Sequence, residues 1–269
     1  LRALPRATAS DMLAVQLDDS ALFLERWRTL VLEALGSDAA AMPASAAPAR
    51  AEFRRVVERT WTGRAEPGSA AYRLVRTFRA HVVRSVMAFL TAPASDVDPS
   101  FSLARTPRAE GPVWEVVSAR PAHLLDPTFP SWNALLLSAV DSAIAELTEG
   151  GRPLASRTWG EVNRAQIAHP LAAAVPVFGR WLAMPSDPLA GDVYTPRAHS
   201  PRTGPSQRLV VSPGLEEQGI LHIPTGQSAH PLSPHFGDMH AAWVAGAPVP
   251  LLPGNPAHTL VLTPVSAGA

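Results

Sequence analysis

Apolar residues in the first 150 positions of the chain recur at intervals of three and four, which is the spacing of one helix face. In the segment 69–91, Leu74, Phe78 and Val82 fall on one face and arginines spread over the others. Ser131 precedes another such segment as an N-cap residue, whose side chain accepts a hydrogen bond from the first turn. The pattern predicts two helices within 10–36 and single helices over 48–63, 69–91 and 130–151.

The pattern changes after residue 170, where proline and glycine occur every few residues. Proline disrupts helix interiors and central strands, so only short elements are expected there. Branched residues predict strands over 207–212 and 219–225, joined by a turn, and a last strand over 258–264. Ser233 followed by Pro234 predicts the start of a short helix. We therefore predict an α+β fold, with a mainly helical region over 1–170 and a β-containing region over 171–269.

The composition excludes several classes of function. Hydrophobic residues make up 46% and charged residues 17% of the 269 positions, which is typical of a globular protein and not of a disordered one. The formal net charge is +0, so no overall field attracts nucleic acid. No apolar run approaches the ~20 residues of a membrane span. Cysteine is absent, which removes disulfides and thiol nucleophiles. The chain also starts without Met or a signal-peptide core, so we expect it to begin within a longer protein.

One short segment, GQSAHPLSPHFGDMH, concentrates the candidate chemistry. His230, His235 and His240 are five residues apart, whereas a helical zinc pair prefers a spacing of four, so we predict no metal site. Ser228, His230 and Asp238 could instead form a serine triad. The nucleophile elbow of lipases is G-x-S-x-G, however, and this chain has His230 in place of the last glycine. The residues alone leave open whether the segment is catalytic or a structural turn.

Three segments of the chain share motifs with one enzyme family. Residues 11–35 are similar to a family segment that begins D-M-x-x-x-Q-x-D. Residues 191–214 are similar to a G-D pair followed by a strand written G-x-S-x-R-x-V. Residues 219–246 resemble G-Q-S-G-x-x-x-S-P-H-Y-x-D-Q-x-x-x-W, with departures at Ala229, Phe236 and Met239. The chain thus resembles the C-terminal half of the β-chain in the penicillin acylase family, within the N-terminal-nucleophile hydrolases.

The resemblance implies a fold and a reaction. The first half of the chain would pack helices on the outside of a four-layer αββα core, and the second half would add strands to its sheets. The family hydrolyses linear amides, with acyl-homoserine lactones and the side-chain amides of β-lactam antibiotics as substrates. This implies a role in antibiotic biosynthesis and a periplasmic or secreted location, without nucleic acid or membrane partners.

The resemblance also implies that the catalytic groups lie outside this chain. The family nucleophile is the N-terminal serine of the β-chain, and Leu1 cannot replace it. The missing α-chain and the N-terminal part of the β-chain are the implied partners, which makes the enzyme a heteromer. The family calcium site would lie in that missing portion, so no cofactor is expected in this chain. The small-molecule amide substrate would meet its catalytic residues there as well.

For the residues of the third motif, the resemblance implies structural roles near the core. Gln227 and Ser228 would satisfy backbone groups of a turn, while His235 and Asp238 would fix the start of a helix. The same set includes His230, Ser233 and Trp243. Two alternatives stay open at this point. The chain could be a non-catalytic, truncated relative that acts as a binding or scaffold module, or a self-contained serine hydrolase that uses Ser228.

Overall fold

The computed structural model describes residues 6–36, 46–98, 100–101, 109–201 and 204–263. The described residues form two compact units that alternate along the chain. The helical unit comprises the described residues of 18–166 and 185–203, and the strand unit those of 1–17, 167–184 and 204–269.

The described chain contains helices and one small sheet. In chain order the α-helices are α1 (Ala9–Gln16), α2 (Leu22–Gly36), α3 (Ala47–Thr60), α4 (Ala70–Val97), α5 (Glu110–Ala119), α6 (Trp132–Thr148), α7 (Leu171–Ala174) and α8 (His240–Ala245). The strands are β1 (Arg208–Val210) and β2 (Ile220–His222). Short 3-10 helices cover Ala122–Leu124, Glu149–Gly151, Leu154–Ser156, Trp159–Glu161, Pro176–Trp181 and Glu216–Gln218. Helices together with a sheet agree with the predicted α+β class.

The helices predicted over the first 150 residues are confirmed, including the division of 10–36 into two. Ser131 caps α6 as expected, because its hydroxyl oxygen accepts a hydrogen bond from the Ala134 amide at 3.1 Å. Helix α1 is capped by Thr8, whose hydroxyl and the Asp11 carboxylate each accept a backbone hydrogen bond of the other residue. Helix α5 was not predicted.

One continuous apolar core holds the helical unit together. Helix α4 contributes the predicted stripe, and Leu74, Phe78 and Val82 are all fully buried. Helix α6 packs along α4, and α2, α3 and α5 close the remaining sides. Aromatic contacts reinforce this packing, since the Trp27 ring meets Phe78 and Trp114 edge-on at 6.4 and 5.3 Å between centroids.

Buried charges in the helical unit are paired. The Glu110 carboxylate accepts hydrogen bonds at 2.7 Å from Arg26, from the Trp27 indole and from Arg79. Burial raises the pKa of Glu110, but these three hydrogen bonds outweigh it and hold the pKa below its usual 4.5. Donors from α2 and α4 therefore satisfy the partly buried Glu110 carboxylate.

The sheet of the strand unit is a short antiparallel hairpin. Strands β1 and β2 pair with Leu209 opposite Leu221, which confirms the predicted hairpin but shortens both strands. On the other edge of β2, the Leu221 amide donates to Val249 at 2.9 Å and the Leu251 amide donates to Gly219 at 2.8 Å. Only a small apolar cluster supports this sheet in the described residues, formed by Leu13, Val210 and Ile220.

Two predicted elements of the second half are wrong. Residues 258–263 form no strand, and Leu260 is 83% exposed; residue 264 lies outside the described part. The helix predicted at Ser233 begins instead at His240. The Ser233 hydroxyl accepts a hydrogen bond from the His235 amide at 3.2 Å, so it stabilises a turn and does not cap a helix.

The division into a mainly helical region over 1–170 and a β-containing region over 171–269 stays a prediction, and the two compact units interleave along the sequence. Within the described ranges, every helix is too short or too polar to cross a membrane.

Candidate functional site

The segment that carries the third motif folds back on itself as a tight loop in the strand unit. The Ser228 amide donates to the His235 carbonyl at 3.0 Å, and the Met239 amide donates to the Thr225 carbonyl at 3.1 Å. Gly226 lies against the same carbonyl, since a Cβ atom at this position would be 2.0 Å from the His235 oxygen. The loop closes only because residue 226 has no side chain.

Side chains of the loop bind its own backbone. The Ser228 hydroxyl accepts from the His230 amide at 3.1 Å, and His230 Nδ1 accepts from the Leu232 amide at 3.2 Å. Ser228 therefore makes the kind of backbone contact that its predicted role requires. The Gln227 carboxamide has no hydrogen-bond partner among the residues described, so a backbone-satisfying role for Gln227 stays a prediction.

The predicted His235–Asp238 contact exists at the surface. His235 Nδ1 lies 2.9 Å from Asp238 Oδ2, and the two side chains are 68% and 43% exposed. The pair precedes α8, so it orders the turn before the helix and not the first helical turn itself. A pair this exposed contributes about 0–1 kcal/mol to stability.

The loop does not assemble a serine triad. Within the described ranges, no hydrogen bond joins the Ser228 hydroxyl to a histidine ring, and Asp238 binds His235 instead of His230. The described residues likewise contain no cluster of three or more His, Asp or Glu side chains placed to hold a metal ion. The loop therefore presents hydrogen-bonding side chains on a closed backbone turn.

A buried polar network lies behind the loop. His222 is fully buried, and its Nε2 donates to the Ala247 carbonyl at 2.6 Å. Its Nδ1 accepts from the Arg208 guanidinium at 3.3 Å, so the ring is the neutral Nε2–H tautomer. Burial lowers the pKa of His222, the hydrogen bond to Ala247 raises it, and the nearby Arg208 charge lowers it further. The net effect keeps the imidazole neutral.

Arg208 connects this network to α8. It donates to the Trp243 carbonyl at 2.8 Å, and its guanidinium lies 5.4 Å from the centre of the Trp243 ring. The Trp243 indole donates to the Pro205 carbonyl at 2.9 Å and is buried. Sequence reasoning did not single out Arg208 or His222 as site residues, although Arg208 is the arginine of the second motif. The observed hairpin register places the two opposite each other.

A cavity of about 310 Å³ opens beside the loop, within the strand unit. Loop residues form one part of its wall and residues of the segment 167–184 form the other. The lining residues are Ile167, Ala168, His169, Leu182, Met184, Thr225, Gly226, Gln227, Ser228, Ala229 and Phe236.

Comparison with known proteins gives two matches. A family model described as penicillin amidase matches residues 1–257. The penicillin acylase 2 proenzyme of Pseudomonas sp. (strain SE83) is 30% identical to this chain in an alignment over 204 residues, which covers 71% of this chain and 25% of that protein. The matched stretch therefore spans about a quarter of the length of this curated relative.

Proposed function

Because this chain belongs to the penicillin amidase family, we propose that it is one part of an amidohydrolase that cleaves a linear amide into a carboxylic acid and an amine. The observation that carries this proposal is the family match, which runs over residues 1–257 and so includes both compact units.

The nucleophile in this proposal is a serine outside these 269 residues. The matched stretch of the relative is only 25% of its length, which leaves ample sequence to supply one. The Ser228 hydroxyl accepts a backbone hydrogen bond and meets no histidine ring among the described residues, so it lacks an adjacent general base. In the resembling enzymes the α-amino group of the nucleophile is the base, and that group would also lie outside this chain.

The strand unit in this proposal completes the sheets of an αββα core. Its hairpin has two three-residue strands, and a hairpin of this size is marginally stable alone. Leu209 and Val211 are exposed at the hairpin, as are the branched residues Leu260, Val261 and Leu262 farther along the chain. An α-chain and the N-terminal part of a β-chain would supply the neighbouring strands, and any calcium-binding carboxylates would belong to those portions.

Two substrate classes follow from the resemblance, namely acyl-homoserine lactones and the side-chain amides of β-lactam antibiotics. A periplasmic or secreted location belongs to the same proposal. Chromogenic phenylacetyl and fatty-acyl anilides separate the classes in a plate assay, because the first presents an aromatic acid and the second a long acyl chain. We expect the whole protein to hydrolyse at least one of the two.

The decisive experiment locates the nucleophile. The whole protein is treated with a serine-directed covalent reagent, and the labelled peptide is identified by mass spectrometry. We expect the label outside these 269 residues, and we expect Ser228→Ala to retain activity within about threefold, because its hydroxyl serves a surface turn. Ser233→Ala is a matched control, since its hydroxyl also accepts a backbone hydrogen bond in the same loop.

Two results contradict the proposal. Labelling of Ser228, with activity abolished in Ser228→Ala and kept in Ser233→Ala, would establish the self-contained hydrolase. A folded whole protein that hydrolyses neither anilide and takes up no label would instead favour the non-catalytic binding module.

A further inference from the structure

The cavity in the strand unit has an apolar side. Ile167, Leu182, Met184 and Phe236 line it with branched, thioether and aromatic groups. Its volume of about 310 Å³ is at the lower end of the range of roughly 300–1,000 Å³ that small-molecule pockets occupy. A wall of this kind suits the hydrocarbon portion of a small ligand.

Three side chains add hydrogen-bond donors to the same cavity. His169 Nδ1 accepts from the Leu171 amide at 3.1 Å, so the neutral ring carries its proton on Nε2. That Nε2–H has no acceptor among the described residues. The Ser228 hydroxyl uses its oxygen to accept from His230, which leaves its proton available. The Gln227 amide adds two further N–H groups.

Carboxylates are missing from the described lining of the cavity. Asp238 lies against Gly226 but is not a lining residue, and its carboxylate is bound by His235. Within the lining, an ammonium ligand would therefore find no counter-ion, whereas an acceptor would find several donors. Hydrogen bonds to a charged acceptor are about twice as strong as those between neutral groups. The side chains thus favour a negatively charged acceptor joined to an apolar body.

We propose that this cavity binds a small amphipathic carboxylic acid. The carboxylate accepts hydrogen bonds from His169, Ser228 and Gln227, and a hydrocarbon body of about eight carbons packs on Met184 and Phe236. The proposal is independent of amide hydrolysis, since it needs no nucleophile.

Met184 supplies a local probe of binding. The whole protein is labelled with ¹³C-methyl methionine, and the Met184 signal is assigned as the one that disappears in Met184→Leu. Octanoate, octan-1-ol and octylammonium are then titrated, because they share a chain and differ in the head group. We expect octanoate to shift the Met184 signal saturably, with half-saturation near or below about 1 mM. Octan-1-ol should bind at least about tenfold more weakly, and octylammonium should give no saturable shift.

Variants test the two parts of the cavity separately. Ala229→Phe places a large side chain at an exposed lining position and should abolish the octanoate shift. His230→Asn is its control, because His230 belongs to the same loop and is not a lining residue. His169→Asn keeps an acceptor for the Leu171 amide and loses the Nε2 donor, whereas His169→Gln keeps a donor near that position. Octanoate should bind at least about fivefold more weakly to His169→Asn and within about twofold of normal to His169→Gln.

Any of three results overturns the proposal. The first is an octanoate shift at Met184 that is unchanged in Ala229→Phe, because the ligand would then bind elsewhere. The second is equal binding of octanoate and octan-1-ol. The third is the absence of a saturable shift up to about 10 mM octanoate. The Met184 signal reports binding in this cavity and does not depend on amide hydrolysis. A protein without hydrolytic activity can therefore still bind octanoate here, and a protein with activity can fail to bind it.

Discussion

The two compact units solve the same problem of burial in different ways. In the helical unit, five helices pack their apolar faces against one another and form a single large cluster. In the strand unit, the described cluster contains three buried residues, and branched residues of the hairpin and of the segment 260–262 are exposed. A helix satisfies its backbone internally and needs only one packed face, whereas a strand needs neighbours on both edges. The comparison teaches that the helical unit closes its own apolar core, whereas the described strand unit leaves branched residues exposed.

The largest expected effect comes from the core of the helical unit. Leu74 is 0% and Leu22 is 79% exposed, so the same truncation tests burial alone. Leu74→Ala should lower the free energy of unfolding by about 2–5 kcal/mol, because it leaves a cavity in a closed core. Leu22→Ala should stay within about 0.5 kcal/mol. Denaturant unfolding followed by circular dichroism measures both, and equal losses would show that the helical core is not closed.

Removing the partner of a buried charge should have the next largest effect. Glu110→Gln takes the negative charge away from Arg79, which is itself buried, and should cost about 2–3 kcal/mol of unfolding free energy. Glu58→Gln is the matched control, because Glu58 pairs with Arg54 at the surface of α3. That control should change stability by no more than about 0.5 kcal/mol. Similar values for the two variants would mean that the Glu110 contacts add nothing beyond a surface pair.

In the strand unit, acid should weaken the structure before it weakens the helical unit. The pKa of His222 is lowered by burial, so between that pKa and 6.5 the folded state binds fewer protons than the unfolded state. The contribution of the neutral His222 imidazole to the free energy of unfolding is therefore fully present above pH 6.5. It declines as the pH falls below 6.5 and is lost once the pH is below the lowered pKa. Hydrogen exchange of the Leu221 amide, which donates to Val249, measures the effect.

His222→Gln removes this titration and should flatten the acid dependence, at the expense of some stability at neutral pH. Persistence of the same dependence in His222→Gln would assign the titration to another group of the strand unit.

The smallest effect should come from the exposed His235–Asp238 pair. A double-mutant cycle of His235→Ala and Asp238→Ala should give a coupling free energy below about 1 kcal/mol, because water screens both groups. A coupling above about 2 kcal/mol would mean that the pair becomes buried in the whole protein. The measurement therefore tests whether other parts of the protein bury this surface of the strand unit.

The helices could be predicted because their signals are local. The stripe Leu74–Phe78–Val82 and the cap Ser131 can each be read from a few neighbouring residues. Helix α5 was missed because Gly111 and Pro112 follow its first residue and look like helix breakers, although proline is tolerated in a first turn. The Glu110 network could not be predicted, since Arg26 lies 84 positions away in sequence.

The candidate site was predictable only in part. The His235–Asp238 contact follows from a spacing of three residues, whereas the register that places Arg208 opposite His222 is seen only in the structure. The Ala247 partner of His222 and the cavity wall at 167–184 depend on chain segments that are distant in sequence, which no periodicity reveals. The strand predicted over 258–264 has branched residues, but residues 258–263 pair with no strand in the described chain, because composition does not supply a neighbour.

The closure of the loop at Gly226 limits which amino acids this position can accept. Gly214 has a positive φ of 78° and open space around it, so asparagine or aspartate, which tolerate that conformation, should replace it at little cost. Gly226 excludes side chains by space alone, and no change of rotamer relieves a contact with backbone. In a library that samples every amino acid at both positions, Gly214 should therefore yield a graded series of survivors and Gly226 a single one. Position 226 therefore accepts glycine and rejects the other amino acids, because the backbone at His235 fills the space that a side chain would need.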